Sequence, residues 1–302
     1  MPTTSATAFH PSMCISTPSS LPSNSEDHPV HVLTAKPKSV LHKHPLWQPT
    51  HANISFQFKE KILCLEIMGV DSGKALSQNP CLHTTSLDSI HSIITFLESK
   101  GIHQKDLGRI FGMCPKILTS DIKTELNPVF NFLSYDLRVP DQHYRKVINK
   151  CPRLLISSVR DQLKPALFYL QRLGFRSLHA LAYQDPVLLV SSVEKTLIPK
   201  LDFLVSIGFS RADAVGMVLR CPGLFTFSIE NNFKPKFEYF AKEMEGSLEE
   251  LKEFPQYFAF SLEKRIKPRN IAALEKRVKL PLPLMLKTTD EEFEELTRQG
   301  CG

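Results

Sequence analysis

Five times along this chain one proline follows another by 13 residues. The pairs are Pro115 and Pro128, Pro152 and Pro165, Pro186 and Pro199, Pro222 and Pro235, and Pro255 and Pro268. Counting Pro80, which opens a weaker copy, the first prolines are separated by 35, 37, 34, 36 and 33 residues. A fixed interval inside a drifting period is what packed units joined by variable loops produce, so the chain is read as an array of repeats.

The apolar residues keep the same phase. Three positions after the first proline stand Leu118, Leu155, Leu189, Phe225 and Phe258. Seven after stand Ile122, Val159, Val193, Ile229 and Leu262, and eleven after stand Leu126, Leu163, Leu197, Phe233 and Ile266. Spacings of three and four are helical. The second proline then falls early in an apolar-periodic run such as "KPALFYLQRLG", and a helix tolerates proline in its first turn. Several runs stop at a glycine, Gly101, Gly174 and Gly208, which suits a left-handed helix end. A second helix follows, for example "SRADAVGMVLR" with Ser210 as N-cap, and continues to the next X-Pro. Each unit reads as helix, glycine joint, helix, proline, short helical piece.

This phasing disposes of one tempting motif. "IMGVDSGKALSQNP", Ile67 to Pro80, has glycines near a Gly-Lys but only three residues between Gly69 and Gly73. Ala75 also stands where a phosphate loop needs Ser or Thr. Gly69 aligns instead with Gly174 and Gly208, and Pro80 with Pro186 and Pro222. Lys74 is then a solvated helix residue.

Charge is distributed unevenly along the 302 residues. The whole chain carries 37 basic and 31 acidic residues, a net +6. From Lys100 to Lys236 there are 20 Lys and Arg against 11 Asp and Glu, a net +9. Residues 237–302 have 11 against 13, a net −2. The middle is therefore the electropositive part. Seven scattered cysteines include no C-x-x-C, which argues for reduced thiols. Cys114, Cys151 and Cys221, each before a first proline, read as small packing residues rather than a metal set. Residues 1–24 hold ten Ser or Thr and no acid, and the first arginine is Arg109. Such a leader fits an organelle transit peptide, and the missing arginines favour a plastid over a mitochondrion. Residues 1–58 are read as transit peptide and linker, 59–286 as the repeat domain and 287–302 as an acidic cap or tail.

The combined pattern, P-x-x-[LF]-x-x-S-[VIL] followed by [LFI]-x-P-x-[LF]-x-[FY]-[LF], resembles the mTERF family of mitochondrial transcription termination factors, which has many plant organelle members. The resemblance spans about Lys59 to Glu295. It implies an all-α, superhelical α-solenoid of about six repeats, of either hand, each with two antiparallel helices and a short 3-10 helix. It also implies a nucleic-acid-binding surface, no enzymatic activity, and a regulator of plastid gene expression acting on double-stranded DNA in transcription termination. RNA binding in intron splicing or rRNA and tRNA maturation is the alternative. The copy from Asn79 departs from the pattern, with Ile93 near the place of the second proline. The copy from Phe254 lacks bulky residues after Pro268.

Basic residues recur between and just beyond the two prolines: Lys123; Arg160 and Lys164; Lys195 and Lys200; Lys234 and Lys236; Lys264, Arg265, Lys267 and Arg269. Presented at a constant rotation they would form a positive stripe able to follow a phosphate backbone. Arg153, Lys116, Lys150 and Arg220, beside the first prolines, extend the set. Phe168, Tyr169, Phe203, Phe237, Tyr239 and Phe240 follow core spacing, which makes them packing residues before base-stacking platforms. No nucleophile or acid/base constellation stands out, and no cofactor or metal is called for. The partners expected are organelle duplex DNA or RNA and transcription or RNA-processing proteins, with a monomeric chain and no membrane. A protein-interaction scaffold of the tetratricopeptide kind is a second alternative. Its W-x-x-L-G-x-x-Y signature is absent, and the sole tryptophan, Trp47, lies outside the repeats. A pentatricopeptide-type RNA reader ranks below it, since the fixed proline pair is not its hallmark.

Overall fold

The computed structural model describes residues 56–299. The leader and most of the linker expected over 1–58 lie outside these residues. Every regular element among the described residues is helical, and no helix there is long and apolar enough to cross a membrane. The array is the expected helical-repeat solenoid. The first helix, Phe56–Ile67, begins three residues ahead of the expected boundary.

Each repeat opens with its first proline at the start of a short 3-10 turn: Pro115–Thr119, Pro152–Ile156, Pro186–Leu188, Pro222–Thr226 and Pro255–Ala259. Six residues after that proline a side chain caps the next helix. Asp121, Ser158, Ser192, Ser228 and Ser261 each accept from the backbone N–H three residues on, at 2.7 to 3.1 Å. Ser86 does the same after Pro80. These oxygens satisfy an N–H that the helix itself leaves open.

The second proline sits deeper than its sequence suggests. The helix starts directly after the cap, so the proline is its seventh residue rather than part of its first turn. The turn before it is widened to i→i+5 spacing: Leu126, Leu163, Leu197, Phe233 and Ile266 donate to Asp121, Ser158, Ser192, Ser228 and Ser261 at 2.9 to 3.1 Å. In an ordinary α-turn the proline ring would press on the carbonyl four residues back. Widening the turn relieves that clash, and a π-type turn of this kind inserts one residue without ending the helix. The copy without the proline acts as an internal control. Leu87–Ser99, with Ile93 in that place, is α-helical throughout.

The phased apolar positions are the core. Leu118, Leu155, Leu189, Phe225 and Phe258 are buried, as are Leu126, Leu163, Leu197, Phe233 and Ile266. The 3-10 turns of neighbouring repeats pack on one another at most joints, and the second helices Ser72–Gln78, Gln104–Met113, Tyr144–Lys150 and Arg211–Arg220 touch the next repeat. The core is thus one continuous layer down the array, as stacked repeats require. The joint between paired helices is left-handed at Gly69, Gly101, Gly174 and Gly208. Arg138, Glu245 and Arg277 adopt the same conformation without glycine. Lys74 is exposed on the helix Ser72–Gln78, whose cap Asp71 accepts from the Lys74 N–H at 2.8 Å. Cys114 and Cys151 are buried and Cys221 nearly so, and burial pushes all three thiols up.

Candidate nucleic-acid interface

The basic residues do not form one stripe. Their positions in the repeat differ, and so do their surroundings. Those directly after the second proline point into the stack. Lys236 is 6% exposed, and its ammonium donates to the carbonyl oxygen of Phe258 in the next repeat at 2.6 Å. Lys200 donates to the carbonyl of Phe225, and Arg269, 5% exposed, to that of Met285 at 2.8 Å. Lys61, in the equivalent place eight residues before Gly69, donates to Leu82 and His83 at 2.6 and 3.2 Å. Burial depresses Lys61 and Lys200 and brings Lys236 down to about 8. Lys236 and Arg269 are therefore corrected from surface contacts to inter-repeat clamps. Half-buried Lys200 belongs with them.

A second ladder uses the basic residues of the second helices. Arg109 donates to the Asn149 carbonyl at 2.5 Å, Lys150 to that of Tyr183 at 3.0 Å, and Arg220 to that of Lys252. Each acceptor lies in the last turn of the next repeat's second helix, where carbonyls lack intrahelical donors and cations are favoured. Lys150 and Arg220 stay exposed, but each is tied by one bond to the next repeat.

Three more candidates are neutralised by carboxylates. Lys234 pairs with Glu230 and Lys267 with Glu263, both at 2.6 Å and four residues apart, while Lys164 lies 3.4 Å from Asp136. Arg265 donates to the carbonyls of Leu286 and Thr288 and pairs with Asp290 at 2.9 Å.

Among the described residues, Lys116, Lys123, Arg153, Arg160, Lys195 and Lys264 are exposed and make no ion pair. Four of the six cluster in two adjoining repeats. Lys116 and Arg153 follow the first prolines of those repeats, and Lys123 and Arg160 lie in their widened turns. Lys116 and Arg160 line one hollow of about 340 Å³, together with the hydroxyls of Ser120, Thr124, Ser157 and Ser158 and the carboxylate of Glu125. Glu125 accepts from the Asp121 N–H at 3.0 Å. A second hollow of about 390 Å³ adjoins the first at Pro128 and Val159 and is rimmed by Lys164 and Tyr135. The four hydroxyls donate within the chain, Ser120 and Ser157 to the carbonyls of Lys116 and Arg153, and Thr124 and Ser158 to the carboxylates of Asp121 and Asp161, so the unpaired cations are the groups that suit phosphate oxygens. No group of His, Cys, Asp or Glu among the described residues is placed to hold a metal.

The mTERF family model matches residues 34–180 and 177–294, nearly the whole array. The chain belongs to the mTERF family. Curated plant proteins are among its relatives. It is 42% identical over 82 residues to the transcription termination factor MTERF2, chloroplastic, of Arabidopsis thaliana, a stretch that is 27% of this chain and 13% of that protein. It is 39% identical over 79 residues to the Arabidopsis MTERF4, chloroplastic, 26% of this chain and 14% of the relative. For MTERF5, chloroplastic, from the same plant, identity is 39% over 88 residues, 29% of this chain and 18% of the relative. Each alignment thus covers less than a fifth of the relative's length. This mTERF chain keeps the proline pair in five repeats and lets it lapse in the one built on Pro80.

The aromatic positions divide. Phe240 is buried, and Tyr169, Phe203, Phe237 and Tyr239 are partly buried against the core. Phe168 is not core, being 61% exposed. The cap serines and the two ladders were missed by the sequence reading. The Ser in the repeated pattern was a sufficient signal for the caps. Nothing local marks a lysine that bonds to the next repeat.

Proposed function

We propose that this mTERF protein is a non-catalytic nucleic-acid-binding regulator of plastid gene expression, contacting its target through Lys116, Lys123, Arg153, Arg160 and Lys164. The observation that carries this reading is that four unpaired cations fall in two adjoining repeats, two of them lining one hollow, with Lys164 on the rim of the next. Of the other candidates, Lys195 and Lys264 are exposed and unpaired but stand singly in separate repeats, and the rest bond to carbonyls or carboxylates. The names of the curated relatives support termination of transcription as the outcome and the chloroplast as the place. In that reading the protein binds organelle duplex DNA by its backbone and obstructs the polymerase.

The number of contacts follows from the surface. Each phosphate neutralised on a duplex contributes about −0.9 to the slope of log K against log salt, so five cations give a slope of roughly −4 to −5. The test is a salt-titrated binding assay of the whole chain with plastid duplex DNA. Changing Lys116, Arg153 and Arg160 to Ala is expected to weaken binding and flatten the slope by about three. Changing Lys195 and Lys264, which are exposed but distant in sequence from the hollows, is expected to flatten it less. An unaltered slope in the triple variant rejects this surface.

A further inference from the structure

Two large aromatic rings stand in solvent beside these cations, where neither serves the core. Tyr135 is 79% exposed and Phe168 is 61% exposed. They belong to the first helices of adjoining repeats. Tyr135 rims the hollow that Lys164 also lines, with Asn131 and Asp136. Lys164, Phe168 and Arg172 follow at intervals of four on the helix Lys164–Leu173, so they share a face. The Arg172 guanidinium lies over the Phe168 ring, 5.7 Å from its centre. Ring, cation, ring, cation is the order along this strip.

A protein partner's apolar surface would find Asn131, Lys164 and Arg172 beside the rings, which are poor neighbours for it. A nucleic acid fits both components, with bases on the rings and phosphates on the cations. Duplex bases are covered on both faces by their neighbours, so an exposed ring can stack only on an unpaired base. We propose that Tyr135 and Phe168 form a stacking platform for unpaired bases, with Arg160, Lys164 and Arg172 on the phosphates, making a single-stranded nucleic-acid subsite. A bound phosphate takes Lys164 over from Asp136. This inference rests on the nucleic-acid reading above and adds the strandedness of the target.

The test uses the full chain and three labelled 20-mers of one plastid sequence: single-stranded RNA, single-stranded DNA and duplex DNA. Binding is followed by fluorescence anisotropy over a range of salt. In a Tyr135→Ala, Phe168→Ala variant, single-strand affinity is expected to fall at least about tenfold. Its salt slope should be kept, because no phosphate contact is removed. Duplex affinity should stay within about twofold. Tyr135→Trp, Phe168→Trp should retain single-strand binding, since the larger ring stacks as well. Both positions are exposed, so circular dichroism should show an intact fold. Preference for RNA or for DNA among the single strands identifies the natural source and supports the subsite either way. An unchanged single-strand affinity, or an equal loss on the duplex, overturns the platform. Wild type that binds the duplex alone also overturns it while leaving the proposed function standing. Wild type that binds none of the three brings down both.

Discussion

The ammonium of Lys236 and the carbonyl oxygen of Phe258 meet at 2.6 Å across the joint between two repeats, and the neighbouring Tyr257 hydroxyl returns a bond to the Lys236 carbonyl at 3.0 Å. A cation that the repeat pattern groups with surface contacts is here a fastening inside the stack. Its ring neighbour is Phe227, 5.8 Å away.

Burial gives that fastening a pH signature. Lys236 titrates near 10.5 when exposed and near 8 in the fold. Between those values the unfolded chain holds a proton that the folded chain does not, so stability climbs as pH rises from about 8 to 10.5. Below about 8 the burial cost of the charge is felt in full. Lys236→Met should remove a rise on the order of 2–3 kcal/mol over that window. Urea midpoints of both proteins from pH 7.5 to 10.5 check this, and parallel curves would refute it.

The helix Gln104–Met113 offers a paired test of close packing. A Cβ added at Gly108 would lie 1.9 Å from the backbone carbonyl oxygen of Met68, which cannot move aside cheaply, while Gly112 has open space around it. Gly108→Ala should destabilise by about 1–3 kcal/mol or more. Gly112→Ala should stabilise by roughly 0.5–1 kcal/mol through helix propensity. Thermal melts that shift both variants in the same direction contradict the packing described.

Much of this architecture is legible in the sequence alone. Period, core phase and glycine joints were all visible, because Leu118, Leu155 and their equivalents recur at fixed offsets. The left-handed joints at Arg138, Glu245 and Arg277 were not, since nothing in those side chains demands that conformation. The candidate interface was legible only in part. Arg160 and Lys236 are both cations near a second proline, and the fate of each depends on which side of the helix its offset selects. The widened turn shifts that selection, and sequence spacing counted as a regular α-helix does not include it.

The widened turns themselves are testable. Pro165→Ala restores an N–H and removes the ring. The segment Val159–Leu163 is then expected to relax toward the α spacing that Leu87–Ser99 already shows. A crystal structure of the variant should place the Leu163 N–H on the Val159 carbonyl instead of that of Ser158. If the i→i+5 bond persists, packing and not the proline sets the turn.

The acidic end is held by Arg269, which also donates to Thr288 Oγ1 at 3.0 Å, to the Thr289 carbonyl at 2.9 Å and to Asp290. Arg269→Ala should cost about 2–4 kcal/mol and free the helix Asp290–Gln299 to exchange its amides. Asp290→Asn, whose side chain is open to solvent, should leave the urea midpoint nearly unchanged. Hydrogen exchange that remains slow across residues 290–299 in the arginine variant would show that other contacts hold the cap.

The inward-reaching cations also grade the joints of the array as sites for cutting and splicing. Lys61, Lys200, Lys236 and Arg269 span four joints, whereas the matching places before the Pro152 and Pro186 repeats hold Val129 and Ala166. Removing or grafting a whole repeat beyond Pro222 strands a buried cation unless the incoming turn presents a carbonyl in the same place. At the Val129 and Ala166 joints the exchange leaves no such orphan. Those two joints are where a chimaeric array, lengthened or shortened to change its reach, should be assembled.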